Sequence, residues 1–154
     1  MGSPAKLREI VDALSIQIDE AYQYLDIETG QIVMISDEEL RAVENDRDLA
    51  DFPDWQQEMI RLAQQIFDQP EKFIELPSQF EINEYRIMER FCLSVEDQAI
   101  SDKLYYAIKG RGAFRRFKDR IHQYGLAEAW YQYLDEALEK IAKSWCEAHE
   151  IDYS

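Results

Sequence analysis

Proline and glycine are scarce in this 154-residue chain, four and five residues respectively, so little interrupts long helices. Cysteine is scarcer still. Cys92 and Cys146 stand alone in a chain too large to need a disulfide, and they read as buried thiols of a reducing compartment. No apolar run approaches the length of a membrane span. The N-terminus lacks the apolar core of a signal peptide, and neither end carries a lipidation pattern. Cations are the minority charge: 17 Lys and Arg face 32 Asp and Glu, a net charge of −15. That balance argues against general nucleic-acid binding or attachment to an anionic membrane. The expected setting is therefore cytoplasmic.

What is present is enough for a core. Hydrophobic residues make up 46% of the chain and aromatic residues 12%, far more than a disordered chain carries. No repeat, low-complexity tract or linker divides it, so residues 1–154 read as a single domain.

The periodicity of the apolar residues gives the elements. Ser3-Pro4 is placed to start a helix carrying Leu7, Ile10, Val11 and Leu14 on one face. The stretches Ile16–Ile27 and Ile32–Ile35 are rich in strand formers and flank Glu28-Thr29-Gly30, which predicts a β-hairpin with Gly30 left-handed. Ser36 and Glu39 have capping-box spacing and predict a helix over 37–44. A polar loop follows, over 45–54. Asp54 then resembles an N-cap for a helix with Trp55, Met59, Leu62, Ile66 and Phe67 inward, stopped by Pro70. Phe73–Pro77 is a candidate third strand.

The rest predicts helices. One opens at Asn83 with Tyr85, Met88, Phe91 and Cys92 on a face. The next is capped by Ser94, carries Val95, Ile100, Leu104, Ala107 and Ile108 inward, and ends at Gly110. A third, over 113–124, carries Phe114, Phe117, Ile121 and Tyr124 and stops at Gly125. The last, over 126–148, places Trp130, Leu134, Leu138, Ile141 and Trp145 inward. The expected fold is α+β and predominantly α-helical, with an N-terminal β-hairpin packed on a helical body.

One segment has unusual chemistry. Residues 109–120 hold six basic side chains and one acidic one, whereas residues 1–77 hold six basic and eighteen acidic. Gly110 and Gly112 frame Arg111 just before a helix, an arrangement that lets backbone N–H groups and the helix dipole meet an anion. Arg111, Arg115 and Arg116 add planar donors suited to phosphate or carboxylate. Gly110, Arg111, Gly112, Arg115 and Arg116 are thus the candidate ligand-binding residues. The plainer alternative is a solvated face, with Arg115 pairing with Asp119 and the glycines serving only a tight connection.

Other constellations are weaker. Cys146 and His149 are three residues apart, but tetrahedral zinc needs more ligands, so no metal or cofactor is expected. The acidic run Asp37, Glu38, Glu39, Glu44, Asp46, Asp48 and Asp51 reads as a solvated face, and its spacing is not that of a calcium loop. The aromatic set Trp130, Tyr131, Tyr133 and Trp145 reads as core. No nucleophile motif is present.

The string Gly110-Arg111-Gly112-Ala113-Phe114-Arg115-Arg116-Phe117-Lys118-Asp119 resembles the bacterial uncharacterised protein family number 158. Tyr24–Gly30, Phe73–Pro77, Glu84–Glu89, Ala129–Tyr131 and Ala142–Cys146 extend the resemblance over residues 16–150. It implies a bacterial cytosolic protein and carries over no catalytic residue.

Three functions fit. The leading one is a non-enzymatic binding or regulatory module whose basic segment meets an anionic ligand or an acidic protein surface. The second is an enzyme acting on a phosphorylated or carboxylated small molecule, with Arg111 and Arg115 orienting it and His122 as acid–base. The third is an acidic decoy that holds a basic protein.

Overall fold

The computed structural model describes residues 4–16 and 20–154. In chain order it runs α1 (Leu7–Ser15), β1 (Ala21–Asp26), β2 (Gln31–Ser36), α2 (Asp37–Glu44), a short 3-10 turn (Leu49–Asp51), α3 (Asp54–Asp68), β3 (Phe73–Glu75), α4 (Gln79–Ile82), α5 (Glu84–Ser94), α6 (Gln98–Ala107), α7 (Ala113–Gln123) and α8 (Ala127–Ala148). The fold is α+β and mainly helical. The chain forms two compact units. One comprises residues 1–78 and 142–154, the other residues 79–141.

The first unit is built on the hairpin. β1 pairs with β2 antiparallel from Ala21↔Ser36 to Asp26↔Gln31. β3 adds to the other edge of β1, giving the order β2-β1-β3. Four residues make the turn. Gly30 takes φ +73°, its N–H donates to Asp26 O at 2.8 Å, and Asp26 Oδ1 accepts from Glu28 N–H at 3.0 Å. Alternation sends Tyr24, Val33, Ile35 and Phe73 to one face, against Ala63 and Ile66 of α3 and half-buried Leu40 and Val43 of α2. Burial pushes the Tyr24 hydroxyl up, and Glu75 adds to the shift. The other face carries fully buried Leu25, and Gln23 Nε2 donates to Ala13 O of α1 at 3.0 Å. Both faces are therefore engaged, where the sequence required only one. Trp145, near the end of α8, is buried and donates from Nε1 to Glu75 O at 3.1 Å.

Several expectations about this unit need correction. α1 begins after Lys6 with no side-chain cap. Ser3 and residues 17–19 of the first expected strand lie outside the described residues. Pro4 precedes the helix because Ala5 is drawn into an extended bridge with Tyr153, its N–H donating to Asp152 O at 2.9 Å. Ile16 is the extended C-cap of α1 rather than strand. The buried stripe of α3 is Gln56, Ile60, Ala63 and Ile66. Trp55 is 67% exposed and Phe67 46% exposed. Of the expected stripe, Ile66 is buried and Met59 and Leu62 pack half-buried against the core, so the apolar spacing erred only at Trp55 and Phe67. Pro53 rather than Asp54 holds the N-cap position.

The second unit is helical. Its core joins Ile87, Met88, Phe91 and Cys92 of α5, Leu104 of α6 with Ile108, Ala113, Phe117 and Ile121 of α7, and Trp130 of α8. Phe91, Phe117 and Trp130 meet edge to face at centroid distances of 4.8–6.0 Å. Asn83, itself left-handed, caps α5 by accepting from Arg86 N–H at 3.3 Å. Asp97 caps α6, not Ser94. Its carboxylate reaches two amide N–H groups, whereas the Ser94 hydroxyl turns back to Phe91 O at 2.7 Å. α7 ends in a Schellman turn at Gly125, φ +68°. Leu126 N–H donates to Ile121 O at 2.7 Å and Gly125 N–H to His122 O at 3.3 Å. Tyr131 and Phe114 are exposed, contrary to their expected place in the core.

Both cysteines are free and fully buried. Burial pushes the Cys92 thiol up to about 11 and raises that of Cys146. No described helix is long and apolar enough to cross a membrane.

Candidate functional site

The basic segment is the connection from α6 into α7, and its shape follows from a problem of unpaired carbonyls. A helix leaves its last C=O groups without intrahelical donors. α6 ends at Ala107, and Gly110 at φ +78° and Gly112 at φ +73° then turn the chain sharply into α7. Gly110 lies two residues beyond the Ile108 C-cap, one later than the expected stop.

Arg116 solves the problem. Its Nε donates to Ala107 O at 2.7 Å, its Nη2 to Lys109 O at 2.5 Å, and its Nη1 to Arg111 O. Tyr85 of α5 donates its hydroxyl to Ile108 O at 2.9 Å. One planar fork and one phenol thus satisfy four carbonyls between residues 107 and 111. Gly112 must lack a side chain here for two reasons. Its φ is positive, and a Cβ would sit 3.1 Å from Arg116 Nη1. At Gly110 a Cβ would meet nothing within 4 Å, so only φ constrains that residue.

Beside this turn lies an open cleft of about 820 Å³. α6 supplies Lys103 and Tyr106 from the side of the helix opposite Leu104. α7 supplies Arg116 and Arg120, four residues apart and so on one face. Lys109 and Arg111 come from the turn itself. Five cations therefore face a single carboxylate, Asp102, which accepts from Gln98 Nε2 at 2.8 Å. The Lys109 ammonium sits 3.8 Å from the centre of the Tyr105 ring, and its bond to the Tyr105 side chain raises its pKa. Tyr106 is 81% exposed. No side chain caps the N-terminus of α7.

The sequence-derived candidates divide accordingly. Arg111 and Arg116 line the cleft, and Arg116 is largely spent on the backbone. Gly110 and Gly112 shape the turn. Arg115 is exposed and is not among the residues lining the cleft, and it makes no ion pair with Asp119 among the described residues. His122 is likewise exposed and away from the lining. Sequence reasoning missed Lys103 and Tyr106 as site residues. Their three-residue spacing, continued to Lys109, was the available signal.

Among the described residues, no group of three or more His, Cys, Asp or Glu is placed to hold a metal. His149 instead stacks against Trp145, ring centres 5.4 Å apart.

Comparison with known proteins adds the family but no activity. No curated protein and no solved structure matches the chain. The model of the Uncharacterised protein family (UPF0158) matches residues 3–154, which include the glycine-framed turn and its arginine fork, and the chain belongs to that family.

Proposed function

We propose that this chain is a non-enzymatic, cytosolic binding or regulatory module whose α6–α7 cleft takes up an anionic group, on a small ligand or on the acidic surface of a partner protein. The observation that carries the proposal is the gathering of Lys103, Lys109, Arg111, Arg116 and Arg120 around one cleft in a chain of net charge −15. Cations of a strongly acidic protein gain most by lying among its carboxylates. Five instead line one cleft with one carboxylate, beside a turn held by the Arg116 fork and a helix N-terminus that no side chain caps. The cleft is open, and Tyr106 stands exposed at it, a composition suited to a protein surface as much as to a small molecule. Catalysis on a phosphorylated small molecule would call for Arg115 and His122 beside Arg111, and neither lines the cleft.

The test is thermal. A phosphate-bearing ligand at about five times its Kd adds roughly 1 kcal/mol of stability, or about 2–4 °C in Tm for a chain of this size. Inorganic phosphate, nucleotides and an acidic peptide should raise the Tm of wild type and of Arg115→Ala. They should leave Arg111→Ala/Arg120→Ala unchanged. The shift should shrink with salt, because exposed charges are screened over about 8 Å at physiological ionic strength. Equal shifts in wild type and the double variant would refute the proposal.

A further inference from the structure

A second cleft has the opposite chemistry and lies wholly within the first unit. It has a volume of about 840 Å³ and is bounded by β2, α2, the loop after α2 and α3. Glu39 of α2 lines it. This glutamate is only 6% exposed, and its Oε2 has no hydrogen-bond partner. Ser36 accepts from Glu39 N–H at 3.4 Å, as in a capping box, yet this carboxylate oxygen is left unbonded. A buried carboxylate without a donor is costly and uncommon. Glu39 Oε2 is shielded from solvent at the wall of the cleft, so a donor from outside satisfies it when the side chain turns into the cleft.

The surroundings define that donor. Glu20 and Glu38 also line the cleft, and among the described residues neither makes an ion pair. Both cations of the cleft are engaged. Arg41 pairs with Asp37 at 2.8 Å, while Arg47 lies 3.9 Å from Asp51 and stacks over Phe52 at 5.4 Å. The remaining field is therefore negative. The walls are apolar: Trp55 is 67% exposed, Met34 is 41% exposed, and Met59 lies half-buried between helix and core. An exposed indole face attracts ammonium and guanidinium groups, and thioethers pack well against methylene stems. A metal ion is a poor match, since no metal-holding group of ligands occurs among the described residues.

We infer that this cleft is a docking site for an arginine or lysine side chain presented by a basic segment of a partner protein, with Glu39 as the anchor and Trp55 and Met34 covering the stem. A partner segment, rather than a free polyamine, fits because the exposed Trp55 and Met34 would stay in water beside a small ligand. The continuation of a peptide would cover them. Clustered exposed aromatic and Met side chains beside a buried charge are the composition of an interface centre. The residues of this cleft are distinct from those of the α6–α7 cleft, so either site can fail its test while the other stands.

The experiment is fluorescence anisotropy of a labelled peptide rich in arginine and lysine, titrated with the full chain. The variants are Glu39→Gln, Trp55→Ala and, as a control of equal charge loss, Glu71→Gln, which is exposed and does not line the cleft. Removing one partner of a buried charged pair should weaken binding about tenfold or more, so Glu39→Gln should bind that much more weakly than wild type and Glu71→Gln as wild type does. Trp55→Ala, at an exposed position, should also weaken binding and keeps the test decisive if Glu39→Gln fails to fold. Equal binding by wild type, Glu39→Gln and Trp55→Ala would overturn the inference and reduce the effect to net charge. Spermidine binding without peptide binding would overturn the peptide as occupant. Self-association of the wild type abolished by Glu39→Gln would replace it with a second copy of the chain.

Discussion

Arg116 is the side chain whose removal should do most to the basic turn. It makes three bonds to backbone carbonyls, and each is charge-assisted. The bond to Ala107 O is partly buried. Losing it leaves a helix-end carbonyl poorly hydrated, at a cost of about 1.5–3 kcal/mol. The bonds to Lys109 O and Arg111 O are exposed, so water replaces them and each is worth only a few tenths to about 1 kcal/mol. Arg116→Ala should therefore destabilise the protein by about 2–5 kcal/mol. Arg116→Lys should recover less than half of that, because an ammonium cannot span three carbonyls with one rigid fork. Urea denaturation read by far-UV circular dichroism measures the loss as a change in midpoint at constant slope. A loss below about 0.5 kcal/mol for Arg116→Ala, the range of ordinary surface substitutions, would show that the turn holds its shape without the fork. Full rescue by lysine would show that only the charge matters.

Other expectations follow from the same geometry. Gly112→Ala should cost more than Gly110→Ala: both incur the positive-φ penalty of about 1–2 kcal/mol, but only at position 112 does the new Cβ meet Arg116; denaturant midpoints of the two variants give the order. Trp145→Ala should cost about 3–5 kcal/mol as a buried indole is lost, and Trp145→Phe, which removes the donor to Glu75 O, should cost clearly less. The buried thiols set a pH dependence. With the Cys92 thiol at about 11 when folded, against an ordinary 9.0, the unfolded state releases its proton first as pH rises. Stability from this source is intact below pH 9 and should fall between about pH 9 and 11; Cys92→Ala should flatten that part of the curve in urea melts across pH. In the native state at pH 8, both cysteines should react with a thiol reagent far more slowly than in urea.

Much of this was legible in the sequence because local chemistry dictated it. Gly30 and Gly125 took positive φ where turn and helix stop required it, and the stripes Met88–Phe91–Cys92 and Phe117–Ile121 became core. The third strand formed as the residue types suggested. Where two assignments were locally equivalent, the sequence failed. Ser94 and Asp97 are both cap residues, and the winner was the one whose side chain reached two amides. Trp55 and Phe67 are as apolar as Ile60 and Ala63, and tertiary packing chose the smaller pair. The basic segment was visible as charge. Its division of labour was not, because an arginine turned back onto the backbone and an arginine facing a ligand have the same letter. Arg116 became a clamp, and Lys103, from another helix, joined the cleft. Glu39 was hidden for the opposite reason: it sits in an acidic run that looks solvated, and only the packing of α2 reveals it as buried.

The central claim is that the α6–α7 cleft receives an anion, and a ¹⁵N NMR titration tests it most directly. Inorganic phosphate and then an acidic peptide are added to the labelled chain at low salt. The amides of Lys103, Tyr106, Lys109, Arg111 and the first turn of α7 should shift in a saturable way, and Arg111→Ala/Arg120→Ala should abolish the saturation. Shifts spread over both units, or the same saturable shifts in the double variant, would contradict the claim.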